Sequence, residues 1–451
     1  MLKRVGASTI ECGASFFREG AAVAIGEASF PAPFISGLEY SSPARGTWNI
    51  VHTGMLIPEA HEIFVCAAGC LRGVVLTAAE MNAEERFSTV AVRERDLLEG
   101  DMEQLIVEGV SDIIGKLTAR GKRPPAVLVY TSCVHHFSGC DIEAAYAALK
   151  ERFPDIDFTD CYMNPIMRKS GLTPDQLMRS RLYSLIKPRE LNKDAVAIIG
   201  NDLPTDEDSE LVALIKASHK RLHEITSCQT YEEYQNMGEA SLYISYYPAA
   251  KAGGDELSRR LGGRHVYLPF SLDYDEIEAE LDTLCGLISA EPPNHAAKRE
   301  ECKKALAEAL KVVGNTPIAV DYTAVPRPLG LCRLLLDAGF NVKRVYADSF
   351  SGEEKKDFEL LKRSHPELTV CAAVHAKMRF TEDVGEHYLA IGQKAAYFLN
   401  TDNFVNIVEG GGMFGYQAII KLCTLIKEAR LNTKPMRELV QIKGLGCGCC
   451  V

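Results

Sequence analysis

Ala126-Val127-Leu128-Val129-Tyr130-Thr131-Ser132-Cys133-Val134-His135-His136-Phe137-Ser138-Gly139-Cys140-Asp141 sets the plan of the chain. Its first five residues are apolar, of strand length and preceded by prolines, which predicts a buried strand. The strand runs into small polar residues and a cysteine where the chain must turn. Asp141 then stands ready to cap a helix whose Ile142, Tyr146, Leu149 and Phe153 recur at helical spacing. An earlier stretch repeats the pattern. Glu62-Ile63-Phe64-Val65 predicts a strand, Cys66-Ala67-Ala68-Gly69-Cys70-Leu71-Arg72-Gly73 a turn, and Gly73 to Met81 a short helix. Strands joined by helix-length connections pair in parallel and carry helices on the sheet faces. Such domains present ligands at the carboxyl ends of their strands, which is where Cys66, Cys70, Cys133 and Cys140 fall.

Outward from there the alternation continues. Residues 1–35 show little periodicity and are expected as an arm over the first domain, and Trp48 to His52 as a short strand. Leu105, Ile106, Val110, Ile113 and Leu117 mark an amphipathic helix, and Ile156 to Thr159 the next strand. The pattern restarts at Ala195–Gly200 and again beyond the Pro-containing linker Ala290–Asn294, with a long helix from His295 to Val313. Strands are expected at 317–320, 342–347, 368–371 and 396–399, and a helix at 418–429. The expected fold is α/β: three Rossmann-like doubly wound parallel-sheet domains, residues 1–190, 191–292 and 293–435, followed by a Cys-rich tail, 436–451. A cavity is expected where the strand ends of the three domains face each other.

Composition narrows the function. The chain has 451 residues, beyond one core at ~100–200 residues per domain. Its net charge of −11 argues against nucleic acid, which needs a basic face. No apolar run reaches the ~20 residues of a membrane span, and the start lacks a signal-peptide pattern, so a cytoplasmic location is expected. Fifteen cysteines without a secretory signal read as thiols and metal ligands, not as a disulfide frame.

Thiolates are soft donors that suit zinc and iron–sulfur clusters. Cys66 to Cys70 has zinc-like spacing, whereas the long gap to Cys133 favours iron–sulfur. His135 and His136 could tune such a centre or deliver protons, or simply lie at a surface. Gly410, Gly411 and Gly412 before a helix could cradle an anion or form a plain loop, and Asp206-Glu207-Asp208 reads as solvated charge. The tail carries Cys447, Cys449 and Cys450 on glycine-rich chain, enough to collect a metal or exchange disulfides.

In order and spacing, residues 40–430 resemble the component 1 family of nitrogenase and nitrogenase-like oxidoreductases, which includes dark-operative protochlorophyllide reductase and the cofactor-assembly scaffolds. Three segments carry the likeness. Val65-Cys66-Ala67-Ala68-Gly69-Cys70 stands where the family has a loop ending in a cluster cysteine. Glu94-Arg95-Asp96-Leu97-Leu98-Glu99-Gly100 matches a Glu-x-Asp-x-x-x-Gly segment. Thr131-Ser132-Cys133, then Gly139-Cys140-Asp141-Ile142, matches a strand ending in Thr-x-Cys before a helix start. A further family cysteine upstream of the one matched by Cys70 has no counterpart in 37–48, and Cys66 and Cys140 are the candidates to replace it.

The resemblance implies an iron–sulfur cluster, [4Fe-4S] in type, at Cys70 and Cys133; with Cys66 and Cys140 added from this chain's own pattern, the expected ligands are Cys66, Cys70, Cys133 and Cys140, or three of them plus an outside ligand. It also implies electrons from a separate ATP-dependent iron protein, since this chain has no phosphate-binding Gly-x-x-x-x-Gly-Lys loop. A homodimer, or a heterodimer with a homologous subunit, is expected. The places of the two nitrogenase cofactor ligands read Ser245-Tyr246-Tyr247-Pro248 and Asn403 to Glu409, so no iron–molybdenum cofactor is expected. Residues around Cys228, Tyr246, Tyr247, Gly410, Gly411, Gly412 and Met413 are the candidate substrate contacts. The alternative function is a non-catalytic scaffold or carrier for metal-cluster assembly.

Overall fold

The structure is a computed structural model and describes residues 21–35, 37–40, 42–44, 49–163, 172–380 and 385–440. The Cys447, Cys449 and Cys450 tail lies outside these residues. The described strands are β1 (Ala22–Ala24), β2 (His61–Ala67), β3 (Phe87–Val92), β4 (Ala126–Ser132), β5 (Asp157–Met163), β6 (Asn192–Ile198), β7 (Arg221–Glu224), β8 (Ala240–Ser245), β9 (Arg264–Tyr267), β10 (Ile318–Asp321), β11 (Val342–Tyr346), β12 (Thr369–Cys371), β13 (Leu389–Ile391) and β14 (Phe404–Val405). They form three sheets, in the orders β3-β2-β4-β5, β7-β6-β8-β9 and β1-β12-β11-β10-β13-β14. Every pairing is parallel except that of β1 with β12. The fold class is therefore the α/β arrangement of Rossmann-like parallel sheets expected from the sequence.

By compactness the chain divides into two units. One comprises Trp48–Pro204 and Ile215–Pro269 and contains the first two sheets; the other comprises the described residues of Met1–Thr47, Thr205–Leu214 and Phe270–Val451 and contains the third.

Each sheet has a crevice where the strand order reverses: between β2 and β4, between β6 and β8, and between β10 and β13. Ligands of open α/β sheets bind at such points, outside the strands' carboxyl ends. In the first sheet, alternation along β2 sorts its side chains by face. Phe64 and Cys66 enter a core with Leu128, Tyr130 and Cys161, while Ile63 and Val65 enter another with Val127, Val129 and Leu149. Asp141 caps the helix Ile142–Arg152 through its Oδ1, which accepts the Ala144 N–H at 3.0 Å. The helix His295–Val313 has the span read from the sequence.

Three local expectations are corrected. Residues 50–54 form a helix, Ile50–Gly54, because the Asn49 side chain accepts the Val51 and His52 N–H groups; Trp48 lies outside the described residues. Residues 396–399 belong to the helix Gln393–Leu399. Gly392, at φ 109°, turns the chain out of β13, and the apolar run that follows is buried on nearly every side of the helix, so it lacked the polar face that marks a helix in sequence. The described part of the N-terminal arm belongs with the third sheet: β1 adds to its edge, pairing Ala22 with Cys371 and Ala24 with Thr369.

Candidate metal centre

Strand β2 hands the chain to the helix Ala68–Glu80, and β4 hands it to the helix Cys133–Ser138. These strands are neighbours in register, Val65 opposite Thr131. Cys66 is therefore the penultimate residue of β2, while Cys70 and Cys133 lie in the first turns of the two helices. Cys66 is fully buried, Cys133 half-buried and Cys70 exposed. Burial pushes the Cys66 thiol up to about 12, and the Cys70 and Cys133 thiols beside it push the same way. The fold thus gathers three of the four expected thiols at one crevice.

Cys140 stands apart from them. Its thiol hydrogen-bonds Glu103, and burial followed by that carboxylate pushes it up to about 12. It packs with Val65, Val129 and Ile142, the core on the opposite face of the sheet from Cys66. Glu103 also accepts the Asp141 N–H, which ties the start of the helix Met102–Ala119 to the turn holding Cys140.

Polar groups around the crevice fit a sulfur-rich anionic group. The helix Ala68–Glu80 has Ala67 at its N-cap and no side-chain cap, so its first N–H groups are not satisfied from within the helix. Helix amino ends favour negative charge, including thiolates. Ser132 Oγ and His135 Nε2 are both buried and meet no hydrogen-bond acceptor among the described residues. The other ring nitrogen of His135 accepts the Ser132 N–H at 3.2 Å. Ser132 and Glu103 carry no metal-site signal in the sequence, whereas His135, beside Cys133, is a candidate there to tune such a centre. Only strand register places Ser132 beside Cys66.

The remaining candidates are dispersed. Cys228 follows the turn Ile225–Ser227, its Sγ 3.4 Å from the Glu224 carbonyl oxygen, and burial pushes its thiol up to about 11. Tyr246 is buried, and the Tyr247 ring lies 4.5 Å from the buried Arg179 guanidinium, which also donates to the Gly200 carbonyl and to Asp202. The crevice between β6 and β8 is thus filled by an internal ion pair. Gly410, Gly411 and Gly412 all take positive φ, at 78°, 56° and 79°, and the Glu409 and Gly410 N–H groups donate to the Thr323 and Ala324 carbonyls. The helix they lead into, Gly415–Leu431, has its amino end capped by Glu210, which accepts the Gln417 N–H at 3.1 Å. Met413 is buried.

Two other clusters have suggestive geometry and bland explanations. Ser245 Oγ lies 2.8 Å from His265 Nε2, and His265 Nδ1 lies 2.7 Å from Asp255. Ser245 is wholly buried, which denies a substrate access to its hydroxyl. Among the described residues, Glu278, Asp282 and His295 bring ligand atoms within 4.8 Å of one another. Glu278 is already neutralised by Arg299 at 2.5 Å, and that guanidinium disfavours a second cation.

The sequence matches the model of nitrogenase component 1 type oxidoreductases over residues 51–411. The chain belongs to that family. Among solved structures it is similar to one described as "Nitrogenase Cp1 at pH 6.5", with a TM-score of 0.65 and 14% identity, covering 88% of this chain and 94% of that one. A second, "Nitrogenase Cp1 at pH 5", gives a TM-score of 0.59 and 12% identity over 91% of this chain and 94% of that one. At such identities the likeness is one of fold. No curated protein matches the chain.

Proposed function

We propose that this chain is an iron–sulfur electron-transfer subunit of a nitrogenase-like reductase, with Cys66, Cys70 and Cys133 holding a cluster of the [4Fe-4S] type. The observation that carries the reading is the convergence of three thiols at the crevice between β2 and β4. When bound, the cluster supplies one-electron redox chemistry. The chain's own contributions are to hold thiolates in a half-buried crevice, to offer free N–H groups at a helix amino end, and to keep bulk water from the Cys66 side.

Electrons are supplied by a separate ATP-dependent iron protein and pass to a substrate. The helices leaving β2, β3 and β4 expose apolar side chains: Val75 and Leu76, Leu97 and Leu98, and Phe137, the last at 73% exposure. Exposed apolar groups on successive strand-end helices favour a docking surface, for a homologous subunit or a second copy.

The test is anaerobic isolation with iron and acid-labile sulfide analysis, and low-temperature EPR after reduction by a cognate iron protein. We expect iron and sulfide in the wild type, ATP-dependent reduction, and loss of most of the iron in the Cys70→Ala/Cys133→Ala double variant. Zinc alone in the wild type, or full iron in the double variant, overturns the reading.

A further inference from the structure

We propose that the Ser132 hydroxyl donates a hydrogen bond to sulfur of the metal–sulfur group held by Cys66, Cys70 and Cys133, and so sets how readily that group takes an electron. The proposal rests on the iron–sulfur reading above and adds to it a residue that is not a ligand.

Register supplies the geometry. Val65 lies opposite Thr131 in the parallel pair of β2 and β4, so Cys66 and Ser132 are the next residues side by side. Side chains alternate along both strands. Phe64 stacks on Tyr130 with ring centroids 4.1 Å apart, and Phe64, Tyr130 and Cys66 share one core. Ser132, two residues beyond Tyr130, therefore belongs to the Cys66 face, whereas Thr131 belongs to the other.

Burial supplies the need. Ser132 is 3% exposed; its Oγ faces the His135 N–H in the capping box of the helix Cys133–Ser138, and its O–H meets no acceptor among the described residues, not even Cys66 Sγ. A hydroxyl buried in this way is costly unless an acceptor meets it. Its neighbours at the crevice are thiols, and once these bind metal as thiolates they and any bridging sulfide are acceptors. The adjoining backbone is held in place, because the Ser132 N–H donates to His135 Nδ1 at 3.2 Å. Adding an electron makes a thiolate-bound group more negative. A fixed O–H donor stabilises that reduced form and raises the potential.

The experiment compares wild type, Ser132→Ala, Ser132→Thr and Ser132→Val after anaerobic reconstitution with ferrous iron and sulfide. Iron per chain, midpoint potential from an EPR-monitored redox titration, and the melting temperature of the metal-free protein are read for each. We expect Ser132→Ala to keep its iron and to show a lower midpoint potential, while the melting temperature of its metal-free form reads separately what loss of the capping side chain costs. Ser132→Thr should restore the potential. Should the Ala variant fold poorly, the near-isosteric Thr and Val variants make the same comparison, with Thr the higher. Equal potentials at equal iron content, with and without the hydroxyl, overturn this inference alone. A wild type that takes up neither iron nor sulfide overturns the iron–sulfur reading beneath it.

Discussion

The crevice between β2 and β4 and that between β10 and β13 are topologically alike, yet the chain completes one and leaves the other incomplete. At β10 the buried Asp321 carboxylate accepts the Thr323 N–H at 2.7 Å and the Ala395 N–H at 2.7 Å, capping the helix Gln393–Leu399. Gly392 makes this possible, since a Cβ there would collide with that carboxylate. The position where a doubly wound sheet accepts an anion is filled by the protein's own anion. At β2 the corresponding helix has no side-chain cap, three thiols converge, and a buried hydroxyl lacks an acceptor. Chemistry is expected at the second kind of crevice, where the chain alone does not satisfy its polar groups.

The strongest way to break this comparison is to empty the completed crevice. Asp321→Ala would strand two buried N–H donors and the Thr323 hydroxyl. Each stranded group costs about 1–3 kcal/mol. We expect a loss of about 3–5 kcal/mol in the unit carrying the third sheet, seen as an early transition in denaturant unfolding, with thiol reactivity at Cys70 unchanged. Unaltered unfolding would mean that the carboxylate is not what completes this crevice.

A smaller effect separates the sheets by pH. His61, at the start of β2, is 4% exposed, and its Nε2 lies 2.8 Å from Ser88 Oγ. Burial, with Arg86 second, holds it down from 6.5 to about 4. A depressed folded value means that the unfolded chain takes up the proton first as pH falls. The stabilisation from neutral His61 is therefore whole above pH 6.5 and is lost as pH drops towards 4. The full difference is about 3 kcal/mol. We expect His61→Gln to flatten the acid limb of stability between those values, and an identical limb in wild type and variant would refute the assignment.

Much of this was legible beforehand because it is local. The run 126–130, the Asp141 cap and the helix from His295 to Val313 follow from length, residue type and spacing. So did the strand ends carrying Cys66, Cys70 and Cys133. The residues that complete each crevice were not legible, because their roles depend on cross-strand register. Nothing in the sequence pairs Asp321 with Ala395, or sets Ser132 beside Cys66, until β4 is laid against β2 and β10 against β13. The helix Gln393–Leu399 escaped for a related reason: buried on nearly every side, it lacked the polar face that distinguishes helix from strand.

The finest test concerns which face of the first sheet carries function. Cys140 was grouped with Cys66, Cys70 and Cys133 by its place in the sequence, yet its thiol bonds Glu103 and packs in the core on the opposite face from Cys66. For it to reach the other three, that hydrogen bond must break and the turn at Gly139, which takes φ 69° to cap the helix Cys133–Ser138, must rearrange. Both changes oppose recruitment. Cys140→Ala removes one half-buried sulfur and one hydrogen bond to a carboxylate that keeps the Asp141 N–H, so about 1 kcal/mol of stability is at stake. We expect the variant to retain wild-type iron content and EPR after anaerobic reconstitution, in contrast to the Cys70/Cys133 double variant. Loss of iron in Cys140→Ala alone would show that the two faces of the sheet act together, and would dissolve the distinction between thiols at the crevice and a thiol packed behind it.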